Sequence, residues 1–177
     1  MALTLIVENG TNIDGANTYA SVETVREYSA NRGVTLSVDD DAVAIQIVKA
    51  MDYLSTFEGR WKGQQTYVTQ SLPWPRGGIY YSGYSYQPNT AIPAKLIAAL
   101  GQLVIEQHNG IELFFATDTG EAWITREKLD VIETEYSEAV RLAQMARGGK
   151  GPTLPLVDAL LAPLLTAGGF SLVTVRV

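Results

Sequence analysis

Few residues in this chain could make or break bonds, and each sits in a pattern that argues against it. His108 is the single histidine among 177 residues. Glu106-Gln107-His108 is where a general base or metal ligand would be sought, but residues two apart on a helix face different ways. A histidine near the negative end of a helix dipole is the plainer reading. With no second histidine and no cysteine, a zinc site has no ligands to complete it, and disulfides and thiolate nucleophiles are excluded. Asp39-Asp40-Asp41 lacks the alternating spacing of a calcium loop and reads as the acidic start of a helix. The glycines at 77–78 and 148–151 match neither phosphate-binding fingerprint, and Gly148-Gly149-Lys150-Gly151 is by composition a hinge. No G-x-S-x-G elbow is present. The sequence predicts no enzyme, no cofactor and no metal.

The aromatic residues are more telling. Trp61, Tyr67, Trp74, Tyr80, Tyr81, Tyr84 and Tyr86 lie among Arg60, Lys62 and Arg76. Such a set can stack unpaired bases. The same residue types anchor protein–protein interfaces, and tryptophans can plug a core while tyrosines cap its edge. A net charge of −6 favours interface or core over nucleic acid, since phosphate contacts need clustered cations.

The elements that must hold these residues are mostly helical. Leu3 to Val7 predicts a short strand closed by Glu8-Asn9-Gly10. Ser21 predicts the N-cap of a helix to about Asn31, stopped at Gly33. Ser37 predicts the cap of a second helix with Val43, Ile47, Ala50, Met51 and Leu54 on one face, widened by Ile45 and Val48, and Gly59 just past its end. Pro73-Trp74-Pro75-Arg76-Gly77-Gly78 cannot be helix interior, so residues 60 to 92 predict a long furnished loop. Pro93 predicts the first position of a third helix to about His108, in which Gly101 predicts close approach of another backbone. A charged hairpin follows at 123–136 with its turn near Leu129-Asp130. Beyond the Gly-rich joint, 155–165 predicts a short apolar helix and 170–177 a terminal strand. The fold class is therefore mainly α, a small bundle of about four helices with a projecting β-hairpin and β-prone N- and C-terminal arms. The expected division is a helical domain over 1–147 and a C-terminal arm over 148–177.

The composition, 46% hydrophobic and 18% charged, is that of a globular chain. Apolar runs reach only about a dozen residues before Pro or charge interrupts them, so no membrane span is expected. The N-terminus lacks a basic leader and cleavage site, which predicts use in a cytoplasm or in a particle assembled there.

One combination of motifs resembles a known family. Asn17-Thr18-Tyr19-Ala20-Ser21 opens a helix after an N-terminal strand. Ala50-Met51-Asp52-Tyr53-Leu54, Phe57-Glu58-Gly59-Arg60 and Leu72-Pro73-Trp74-Pro75-Arg76-Gly77-Gly78 follow, then Ile92-Pro93 and Pro155-Leu156-Val157-Asp158-Ala159-Leu160-Leu161-Ala162-Pro163-Leu164-Leu165. Together these resemble phage neck-adaptor (head–tail connector) proteins, which are sometimes catalogued as DnaT-like for a remote similarity to a primosomal single-strand-binding protein. The resemblance implies a structural virion protein at the neck, between portal and tail, active in DNA packaging and ejection. It implies copies of itself in a ring, expected to be a dodecamer, with double-stranded DNA passing through the channel. Its partners would be the portal protein and the tail or next neck protein.

Site expectations follow from that resemblance and from the residues. Leu172, Val173, Thr174, Val175, Arg176 and Val177 are expected to add a strand to the portal, with pairing to Leu3–Val7 of the same chain as the alternative, because an exposed strand of this kind is an aggregation hazard unless docked. Arg126, Lys128, Glu133 and Glu135 of the hairpin, with Tyr80, Tyr81 and Tyr84, are expected at subunit contacts. Trp74 and Arg76 are expected to fix the loop, with Trp74 between the second and third helices. The rival reading is a single-stranded-DNA-binding replication module of the DnaT-like kind, which a salt-dependent shift with oligonucleotides would reveal.

Overall fold

The computed structural model describes residues 3–81, 85–114, 127–129, 132–134 and 154–166, with backbone only at 81, 85, 127–129 and 132–134. Within them the fold is mainly helical, with four α-helices and a charged antiparallel hairpin.

Helix α1 (Val22–Ala30) begins where Ser21 accepts the Thr24 N–H at 3.3 Å, and the chain leaves it through Gly33 at φ 73°. Helix α2 (Asp40–Ser55) is capped by Asp39, which takes the Asp41 N–H at 3.1 Å. Ser37, the expected cap, instead accepts the Asp39 N–H in the preceding turn. Both residue types suit either job, so local chemistry does not decide between them. On α2 the apolar stripe Val43, Ile47, Ala50, Met51 and Leu54 is buried as its spacing predicts, and Ala44 and Tyr53 join it. Ile45 does not; it is half exposed.

Helix α3 (Ala94–His108) is the central element and packs against α1, α2 and α4 (Pro155–Leu161). Its Leu96, Ala99, Leu100, Leu103 and Val104 are fully buried. Gly101 is required because a Cβ there would stand 2.5 Å from the Tyr28 ring of α1. The close neighbour is thus an aromatic ring rather than the backbone that the sequence predicts. Helix α4 runs into a 3₁₀ turn at Ala162–Leu164 and places Val157, Leu161 and Leu164 in the same core cluster as α1, α2 and α3.

Leu3 to Val7 forms no strand. It makes one parallel bridge, Val7 with Thr18, because Asn17 takes the place of a ladder partner: its side chain accepts the Ile6 N–H at 2.8 Å and donates to the Thr4 carbonyl at 3.0 Å. The stretch 60–92 is more ordered than a loop. Strand β1 (Gln64–Gln65) pairs with β2 (Arg76–Gly77), and β3 (Tyr80–Tyr81) with β4 (Ser85–Tyr86), both antiparallel. In the charged hairpin β5 (Glu127–Leu129) pairs with β6 (Ile132–Thr134), Lys128 opposite Glu133 and Leu129 opposite Ile132. Leu129, expected in the turn, is therefore the last residue of β5.

Candidate nucleic-acid interface

Between Glu58 and Glu106 the chain contains no acidic residue, and its charges there are Arg60, Lys62, Arg76 and Lys95. In a protein of net charge −6 this is an electrostatically distinct block. A whole-chain average conceals it, and only a residue-by-residue reading of charge sign could have found it.

Arg76 holds the block together. Its Nε donates to the Lys62 carbonyl at 2.8 Å, one terminal nitrogen to Gly63 at 2.7 Å and the other to Pro73 at 3.2 Å. The planar fork thereby ties β2 to the chain entering β1. Burial lowers the Arg76 pKa, yet a guanidinium stays charged in proteins. Lys62 is likewise committed, Nζ to the Pro163 carbonyl at 2.9 Å, while its N–H donates to Leu164 at 2.9 Å. Arg60 and Lys95 are exposed. The Arg60 guanidinium lies over the Phe57 ring, 5.3 Å from its centroid.

The aromatics divide into two groups. Trp74 is completely buried and meets Trp61 edge-to-face at 6.0 Å. Its backbone N–H donates to the Tyr19 hydroxyl at 3.1 Å. Burial raises the Tyr19 pKa well above its ordinary value, so the hydroxyl is held neutral. Beside it the buried Glu8 carboxylate accepts the N–H groups of Gly10 (2.6 Å), Ile13 (2.9 Å) and Asn12 (3.1 Å), which folds the loop after the N-terminal segment around one anion. Trp61 and Trp74 are core, and base stacking on them is excluded by burial.

Tyr80 and Tyr86 are the opposite case. They are 64% and 48% exposed, lie opposite one another in the β3–β4 register and have ring centroids 5.4 Å apart. The hairpin that carries them is anchored from below. Ile79 is buried, and its carbonyl accepts the Gln87 N–H at 2.9 Å, while the Gln87 amide donates to Ala91 at 3.1 Å. The Tyr86 hydroxyl hydrogen-bonds the Asn89 side chain, whose backbone carbonyl accepts from Thr66 at 2.6 Å. The Tyr86 ring is thus set by Asn89, Tyr80 packs against it, and both are open to solvent.

His108 is exposed at the end of α3, and among the described residues no group of carboxylates and imidazole could hold a metal ion. No helix among them is long and apolar enough to cross a membrane. Tyr81 lies on β3 beside Tyr80, while Lys128 and Glu133 face each other across β5–β6. Tyr84, Arg126, Glu135 and the segment Leu172 to Val177 lie outside the described residues.

Residues 3–177 match the family of DnaT-like ssDNA binding proteins, whose description puts that activity forward as a proposal. The chain belongs to this family. No curated protein and no solved structure matches it. Membership corrects the neck-adaptor expectation: the matched family is described by single-stranded DNA, and neither a head–tail connector nor a virion neck enters that description. The portal protein, the tail or next neck protein, the dodecameric ring and the passage of double-stranded DNA are withdrawn with it, as is docking of Leu172 to Val177 on a portal. The motif set that carried the expectation is shared by a DnaT-like chain, so the motifs identify relatedness without identifying the assembly.

Proposed function

We propose that this DnaT-like protein binds single-stranded DNA as a non-catalytic module. The observation that carries the reading is the family match along residues 3–177. The geometry supports it with an acid-free block whose exposed residues include two oriented aromatic rings and the cations Arg60 and Lys95. Such a combination serves strand binding, because every base offers a π-face and every linkage a negative charge. A net charge of −6 is compatible with this, because the acidic residues lie outside 59–105.

Fluorescence anisotropy of a labelled oligothymidine strand tests the reading. Binding is expected at low salt and is expected to weaken linearly in log–log form, with a slope of about −0.7 per phosphate neutralised. A strand that shows no binding even at roughly 50 mM salt would overturn the proposal.

A further inference from the structure

We infer that unpaired bases stack on the exposed Tyr80–Tyr86 pair, which makes the β3–β4 hairpin the strand-binding platform of the acid-free block. This inference rests on the single-stranded-DNA reading and adds to it a location and a mode. Burial closes the two tryptophans, Trp61 at 5% and Trp74 at 0% exposed and packed edge-to-face. Tyr67 is half-buried, and the exposed Phe114 lies outside the acid-free block against Tyr53. Both Tyr80 and Tyr86 are exposed; Asn89 sets the Tyr86 ring, and Tyr80 packs on it with centroids 5.4 Å apart. A tyrosine whose hydroxyl is already tied, as that of Tyr86 is to Asn89, loses little rotamer freedom when a base arrives.

Charge selects the occupant. Two exposed tyrosines would suit a protein partner as well as a base, but the chain segment that carries them, 59–105, holds only positive charges, while the 8–14 loop packed on it brings Glu8, which is buried, and Asp14. Gly63 links the cationic turn to the hairpin root, since a Cβ there would lie 2.7 Å from Ile79. Thr66 links β1 to Asn89 at the hairpin exit, six residues before exposed Lys95. A polyanion entering this surface meets no carboxylate from the chain segment that builds it. A duplex offers no free base faces to the rings, so the platform favours unpaired strands over paired ones.

The expected chemistry separates ring from hydroxyl. Tyr80→Ala is expected to weaken oligothymidine binding about tenfold, and Tyr80→Ala with Tyr86→Ala by more. Tyr80→Phe, which keeps the π-face, should bind within about twofold of the parent, whereas Tyr80→Leu, which keeps apolar area without one, should resemble the alanine variant. Lys95→Gln should leave stacking intact and lower the salt slope by about 0.7. Crosslinking with a 5-iodouracil strand is expected to label Tyr80 or Tyr86. Parent-like affinity of the double alanine variant, with helical circular dichroism unchanged, would overturn the platform while leaving single-strand binding standing. The same result with a change in oligomeric mass would assign the pair to a protein contact and overturn it equally. Absence of binding by the parent chain would remove the reading beneath it.

Discussion

Helix α2 and the block that follows it are adjacent in sequence and held by different physics. Along α2 one apolar stripe, Val43 to Leu54, is buried against α3, and the backbone satisfies itself within the helix. Between Gly59 and Pro93 no such periodicity exists. There the strands are two residues long, and side chains supply what a ladder would: the Arg76 fork on three carbonyls, Thr66 on Asn89 and Gln87 on Ala91. Trp61, Trp74 and Ile79 wedge the block onto the helices. The comparison teaches that irregular chain becomes a fixed surface when its polar atoms are answered one by one and a few large side chains anchor it. The helices supply stability and the block supplies a face.

The largest effect expected from breaking that arrangement is Trp74→Ala. Removing a fully buried indole costs about 4 kcal/mol, measured by urea denaturation, since its transfer energy is lost and a cavity is left. A loss below about 1 kcal/mol would show that the wedge does not hold the block to the helices. Leu161→Ala is the matching test on the helical side, with an expected cost of about 3 kcal/mol because Leu161 is wholly buried in the cluster shared with α3. A near-neutral result would mean that α4 adds little to that core.

Arg76→Met sharpens the contrast, since it keeps much of the apolar stem and deletes the fork. The expected cost is about 2 kcal/mol, from the partly buried carbonyls of Lys62 and Pro73 left without a donor, the Gly63 carbonyl being exposed to water. Tyr19→Phe should cost about 1 kcal/mol by removing the acceptor of the Trp74 N–H. It also has a pH signature. Tyr19 keeps its proton in the fold to higher pH than in the unfolded chain, so the unfolded state binds fewer protons above about pH 10 and stability falls there. Denaturation between neutral and strongly alkaline pH should show that decline in the parent and a shallower one in Tyr19→Phe. The smallest effect is expected at Asp40→Asn on α2. It removes the Arg26–Asp40 ion pair, but Asp40 is exposed and Arg26 retains the Ser37 carbonyl at 2.8 Å, so the change should stay below about 0.5 kcal/mol.

By itself the sequence determined what depends on neighbours a few residues apart. Apolar spacing places α2 and α3, Ser21 starts α1, Gly33 and Gly110 end helices at positive φ, and paired prolines bar residues 73–75 from a helix. The residue types of the candidate site were equally legible, and stacking was among the readings they allowed. Tertiary structure decided which member of each set does what. Seven aromatics at similar spacing look alike in sequence, yet Trp74 is sealed by Trp61 and Tyr19 while Tyr80 stands in solvent. Ser37 and Asp39 are both good caps, and the turn they share selects the second. Lys62 reads as a free cation until the Pro163 carbonyl is found to occupy its Nζ, and the expected loop-fixing role of Arg76 gains its partners, the carbonyls of 62, 63 and 73, only in the fold. Leu3 to Val7 reads as a strand until Asn17 replaces its partner. In each case the deciding contact joins residues well apart in the chain or chooses between two local solutions of similar energy. Local propensity holds no information on either, because burial and hydrogen-bond satisfaction are properties of the whole packing.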